Sequence, residues 1–252
     1  MLKNYTKRHS IVGYTISNWI SLRGFEQSVI GGNSKYYAID SGVSSRIVLF
    51  DQNWTYHSYH TLPYKFSYTA KYIGGYFYFS SLSYFYKTNI NFFEINSHIR
   101  TGAEYRQFVY DPSSSRFYVA SFSSKLIDIF DTSCSLLDSI DLGNQKPYGL
   151  AIFNGNLYAG LFDENKIKVI QNKNIIKEIT VGQCAGEITG ITVDAFGYLA
   201  ISCHESQLLT VYDSDGNYMN SQITTSSSPY VTSVDSKGRL VIMTENSLDI
   251  YY

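Results

Sequence analysis

Cys184, Glu187, Cys203, His204 and Glu205 bring thiols, carboxylates and an imidazole closer together than any other stretch of this chain. Such groups could hold a metal, exchange a disulfide or move a proton. Each of those activities also demands a spacing. Zinc wants four nitrogen or sulfur ligands, a hard cation wants several oxygens, and covalent catalysis wants a nucleophile, a base and an orienting group within hydrogen-bond reach. The remaining histidines, His9, His57, His60 and His98, are scattered, and Cys134, Cys184 and Cys203 form no close pair. We therefore expect no metal, no cofactor and no catalytic set. The thiols of Cys184 and Cys203 are expected to be unpaired and partly buried, a bridge being conceivable only if residues 183–187 fold back.

A second set of residues suggests recognition rather than reaction. Tyr64, Tyr105, Tyr148 and Tyr230, with Arg106 and Glu187, fall near the starts of successive apolar runs, among loops rich in Ser and Asn such as Ser121 to Lys125, Gly143 to Gly149 and Thr225 to Tyr230. Rigid amphipathic rings with small polar groups make adaptable contact surfaces at low entropic cost.

The elements that must position these residues follow from a repeated phrase. IVLFD (Ile47 to Asp51), SYFYK (Ser83 to Lys87), IDIFD (Ile127 to Asp131), IKVIQ (Ile167 to Gln171), LTVYD (Leu209 to Asp213) and LDIYY (Leu248 to Tyr252) end 36, 44, 40, 42 and 39 residues apart. That is the period of a four-stranded unit used repeatedly. The clearest unit, Tyr105 to Gly143, has four apolar runs divided by Asp111-Pro-Ser-Ser-Ser115, Ser123-Ser-Lys125 and Asp131-Thr-Ser133, all turn chemistry. Within the phrase both strand faces are apolar, so each sheet must be covered on both sides, and sheets stacked around a ring supply that cover.

The predicted fold is all-β: a six-bladed β-propeller of four-stranded antiparallel blades in one domain. Its blades are expected at 24–62, 63–100, 104–143, 146–182, 186–225 and 229–252. The sixth has only three strands of its own. Residues 1–20 are expected to complete it, Ser10 to Ile16 pairing beside Leu248 to Tyr252.

Composition agrees with such a fold. The chain is 44% hydrophobic and 16% charged, with 24 Tyr and 15 Phe, residues suited to pleated, half-buried surfaces. A net charge of -1 provides no field for a polyanion. No window approaches the length of apolar sequence that a membrane helix needs, and no signal peptide is apparent at the N-terminus. Neither this nor the two glycosylation sequons at Asn4 and Asn53 places the protein in a compartment.

Over Pro147 to Ile170 and Gly190 to Asp213 the chain resembles the NHL repeat, with its Gly-Ile-Ala-Val-Asp-like inner strand and Ile-x-Val-Phe-Asp-like third strand. Over Phe117 to Asp131 it is similar to the related YVTN propellers. The resemblance covers Tyr105 to the end and thins at Lys65 to Asn89, where the apolar pattern persists without the signature residues. It implies a protein-interaction or RNA-binding platform, or a metal-dependent lactonase, hydrolase or lyase working in the central channel.

The residues choose among these. The expected inner-strand entries are Phe25-Glu26, Ser67-Tyr68, Arg106-Gln107, Tyr148-Gly149, Thr189-Gly190 and Tyr230-Val231, which hold a single carboxylate. On the loops of that face Arg46, Lys65, Arg106, Lys125, Lys146 and Lys166 stand against Asp40, Glu104, Asp163, Glu164, Glu187, Glu205 and Glu245, a slightly acidic balance that disfavours nucleic acid. The expectation is a monomeric, non-catalytic module that binds a protein, peptide or glycan through Tyr64, Tyr105, Arg106, Tyr148, Glu187 and Tyr230.

Overall fold

A computed structural model of the chain describes residues 7–12, 22–30, 33–40, 45–51, 56–64, 67–234, 240–244 and 247–251. These residues form an all-β propeller of four-stranded antiparallel sheets, six of them among the described strands. Sheets one to five each take four consecutive strands. In sheet three these are Tyr105–Asp111, Arg116–Ser121, Leu126–Phe130 and Leu136–Asp141. The first strand of each sheet packs against the first strand of the next, and that of the sixth against that of the first, so the innermost strands ring a central channel.

Sheet six combines both ends of the chain. Lys7–Val12 lies antiparallel to Ser247–Tyr251, with Lys7 opposite Tyr251 and Val12 opposite Ser247. This strand begins three residues before the stretch expected to fill that place, and residues 13–16 of that stretch lie outside the described residues.

The repeated phrase occupies the third strand of its sheet. Ile127, Asp128, Ile129 and Phe130 are all buried, as are Ile167 to Ile170. Both faces are covered because the neighbouring sheets wedge against them. The fourth strands are largely exposed, as in Asn174–Thr180, because no sheet lies outside them. The Asp that ends the phrase has a separate task. Asp131 Oδ1 accepts hydrogen bonds from the backbone N–H of Ser133 and Ser135, both at 2.8 Å, and Asp213 Oδ1 accepts one from Asn217 at 2.8 Å. These side chains close the turn into the fourth strand by taking up donors that the sheet leaves over.

The second sheet shows why its sequence departs from the repeat pattern. Phe77 and Phe85 stand where sheet four carries Leu157 and Ile167 and sheet five carries Leu199 and Leu209. Tyr78 and Phe85 pack ring to ring with Phe108, Phe117 and Phe130 of sheet three, while Phe77, on the other face, packs against Tyr37 of sheet one. Burial is conserved in kind while the side chains are not.

At the mouth of the channel the inner strands of sheets four and five approach so closely that a Cβ on Gly149 would lie 2.9 Å from the backbone of Gly190. Glycine is required there for space rather than for its backbone conformation.

Candidate functional site

Antiparallel strands place the starts of the inner strands and the loops after the second strands on one edge of the propeller. In the sector of sheets two to four that edge carries an arginine among aromatic rings. Arg106 stands at the start of the inner strand of sheet three. Its guanidinium carbon lies 4.2 Å from the ring centre of Tyr68, 4.8 Å from Phe122 and 5.3 Å from Tyr148. Phe162 completes the group, edge-on to Phe122 at 5.1 Å and stacked on Tyr148 at 5.5 Å. A cation over a ring face is worth about 0.5–2 kcal/mol, more as water is removed, so these contacts hold the guanidinium in one place.

Its hydrogen-bonding capacity is left over. Only 13% of the Arg106 side chain meets solvent, its Nε is buried without a partner, and Nη2 forms a loose ion pair with Glu104 Oε2 at 3.7 Å, beyond hydrogen-bond range. Glu104 instead accepts a hydrogen bond from the Ser123 hydroxyl. Lys146, the second cation here, lies 5.3 Å from the Phe122 ring centre and pairs with Asp163 at 2.9 Å.

Further round the same edge, Glu187 Oε2 sits 2.8 Å from His204 Nδ1, close enough for an ion pair though not aligned as a hydrogen bond. The His204 ring lies 4.7 Å from that of Tyr230. Behind them Cys184 and Cys203 form a disulfide with 5.1 Å between Cα atoms, which corrects the expectation of two free thiols. The fold-back that sequence could state only as a condition does occur. Cys184 N–H closes a turn onto Val181 O at 3.1 Å, and Ala185 N–H donates to Ser206 Oγ at 2.8 Å. Cys203 lies opposite Ile188, at an irregularity in the pairing of the two strands. Cys134 remains a free, buried thiol, its pKa pushed up to about 12 chiefly by burial. A thiol count with Ellman's reagent should give about none in the native protein and one after unfolding without reductant. Three thiols on unfolding would remove the bridge.

The six residues expected to bind a partner separate into three groups. Arg106 and Tyr148 come together, but Tyr148 is only 5% exposed and acts mainly as a wall for the guanidinium. Glu187 and Tyr230 meet through His204. Tyr105 and Tyr64 do not join them. Tyr105 is fully buried and its hydroxyl donates to Asp128 Oδ2 at 3.0 Å, so it serves the core. Tyr64 stacks on Tyr84 at 3.8 Å, and burial together with the Glu94 carboxylate holds its phenol above the usual range, which ties it to the outer strand Glu94–Ile99.

Phe122 and Phe162 are absent from the expected set and His204 is there only as a candidate ligand, yet the sequence holds a signal for all three. Each is the residue directly after the second strand of its sheet, Arg116–Ser121, Asn156–Leu161 and Leu199–Cys203 respectively. Superposing the repeats at that point puts them in one column.

The channel itself contains a cavity of about 240 Å³ lined by Thr69, Lys71, Gln107, Leu150, Ile191 and Thr232 among others. Gln107 reaches across it, its Oε1 accepting from Leu150 N–H at 2.9 Å and its Nε2 donating to Ile191 O at 3.4 Å. Among the described residues no three of His, Cys, Asp and Glu converge as metal ligands. Nor does any helix among them have the length and apolarity to cross a membrane.

No protein-family model and no curated protein matches this chain in sequence. Solved structures do match in shape. The chain is similar to the WD40 β-propeller domain of Doa1, with a TM-score of 0.73 at 11% identity over 99% of this chain and 97% of that one. It is similar to a streptogramin B lyase, with a TM-score of 0.75 at 10% identity over 97% of each chain. It is also similar to virginiamycin B lyase from Staphylococcus aureus, with a TM-score of 0.72 at 12% identity over 96% of this chain and 82% of that one. At such identities the likeness establishes the propeller fold alone, and propellers carry unrelated functions.

Proposed function

We propose that this protein is a non-catalytic binding module, a six-bladed propeller of the NHL type that presents the loop face around its channel to a protein, peptide or glycan. One observation carries the reading: Arg106, walled by Tyr68, Phe122 and Tyr148, keeps most of its hydrogen-bonding capacity unused at the edge where three sheets meet. Arg and aromatic residues together are the side chains that dominate recognition surfaces. The likeness to the WD40 domain, a fold class used for interaction, is compatible with this reading.

Peptide and glycan arrays probed with labelled protein test it. Ligands captured by the parent should be captured at least about tenfold less by a Phe122→Ala, Tyr230→Ala double variant, since each lost aromatic anchor is worth on the order of 1–2 kcal/mol. The melting temperature of the variant checks that it is folded. Undiminished capture by a folded variant would reject the loop face as the binding surface.

A lyase or hydrolase reading has one observation in its favour, the Glu187–His204 pair beside Tyr230, in which the carboxylate could orient an imidazole for proton transfer. Two of the similar structures are lyases, and a catalytically inactive variant of one was solved with quinupristin. Incubating this protein with quinupristin and following the compound by chromatography tests that reading. Unchanged quinupristin would count against it.

A further inference from the structure

We propose that Arg106 is the recognition point for a small monocarboxylate whose apolar or aromatic body lies on Phe122 and Phe162. The inference rests on the loop face being a binding surface, and it adds the chemical class of ligand.

A largely buried guanidinium costs folding free energy unless its N–H groups find acceptors, because charged groups lose hydration that only charged or well-aligned polar partners replace. The three surrounding rings fix its position through their π faces but accept little from its N–H edge. Glu104 pairs with it only loosely, its Oε2 engaged by Ser123. Nε is buried without a partner, and Nη2 meets Glu104 only in that loose ion pair, at 3.7 Å and beyond hydrogen-bond range. With its faces flanked by rings and Nε buried, the terminal nitrogens remain for an incoming group. A carboxylate fits that edge, since its two oxygens match a planar pair of N–H donors.

The charges nearby limit the ligand further. Arg106 and Lys146 are balanced by Glu104 and Asp163, so the site as a whole is neutral, and a polyanion would meet the two carboxylates as soon as it approached. One negative charge is what the surroundings accommodate. Phe122 and Phe162 are half-buried, leaving ring surface beside the guanidinium for a flat, uncharged body.

Phenylacetate is a suitable probe, with phenylacetamide as its isosteric neutral control. In ligand-observed NMR and calorimetric titrations of the full chain, phenylacetate should bind at least about tenfold more tightly than the amide, the difference expected when a charge-assisted hydrogen bond is lost. Arg106→Gln should abolish the preference for the acid. Arg106→Lys should retain only part of it, because an ammonium lacks the planar fork. Equal binding of acid and amide, or an unaltered preference in folded Arg106→Gln, would overturn the proposal, and so would no binding of phenylacetate at all. If arrays then still showed capture that Phe122→Ala and Tyr230→Ala reduce but Arg106→Gln does not, the binding face would stand and only the carboxylate assignment would fall.

Discussion

Deleting residues 1–18 is expected to lower the melting temperature by roughly 10 °C or more, taking about 2–4 °C per kcal/mol for a chain of this size. The segment contains Lys7–Val12, the fourth strand of the sheet made otherwise by Pro229–Val234, Leu240–Thr244 and Ser247–Tyr251. Without it Ser247–Tyr251 becomes an open edge with unpaired backbone groups. Ile250, fully buried, and Tyr251, 4% exposed, would lose cover on a strand that joins the two ends of the chain. Fully burying one large apolar side chain contributes about 1.5–3 kcal/mol, so a whole strand amounts to several. Calorimetry of the deletion variant checks this. A peptide of residues 1–18 added in excess should recover part of the lost stability by re-forming the strand. A deletion variant as stable as the parent would mean that the pairing does not hold the ring.

Replacing Asp128 by Ala should be similarly damaging. Asp128 has no exposed surface, and its carboxylate accepts hydrogen bonds from Arg100 Nη1 at 2.6 Å, Ser139 Oγ at 2.6 Å and the Tyr105 hydroxyl at 3.0 Å. Burial and the adjacent carboxylate hold the Tyr105 phenol far above its ordinary range, so it remains a donor at every working pH. Removing the acceptor leaves that hydroxyl buried and the guanidinium without its partner. Arg100 keeps 31% of its side chain in solvent and can rehydrate, so the cost falls at the low end for such a pair, about 3 kcal/mol, or roughly 6–12 °C of melting temperature. Adding Tyr105→Phe to the Asp128→Ala variant should restore part of the loss, because it deletes the orphaned hydroxyl along with its partner. If the double variant were less stable than Asp128→Ala alone, the hydroxyl would not be the group left unsatisfied.

The parts of this fold that could be read from sequence are those repeated in it. The phrase marked third strands because apolar residues at its first, third and fourth positions fall on both faces, which only a strand covered on both sides tolerates, and its terminal Asp marked a turn that the side chain itself closes. Sheet two was harder to see because Phe77 and Phe85 replaced branched aliphatics and further rings stood where other sheets have Ala, Lys or Thr, so the period survived while the residues changed. Site residues were less legible. Tyr105 and Arg106 are adjacent in a strand, and adjacent side chains point to opposite faces. An inner-strand entry located only to within a residue or two cannot say which of them faces the core. Tyr105 turned in toward Asp128, and Arg106 turned toward the loops. The Cys184–Cys203 bridge depended on the path of a five-residue loop, which no periodicity reports. Phe122 and Phe162 are illegible to periodicity because they lie one residue beyond their strands, where the apolar pattern has already ended.

Hydrogen–deuterium exchange with and without the tightest ligand from the arrays tests most directly whether recognition belongs to the edge carrying Arg106. Protection of the segments 104–108, 121–125 and 145–149 is predicted. Protection confined to the turns at 112–115, 153–155 and 194–197, on the opposite edge of the same sheets, would contradict it.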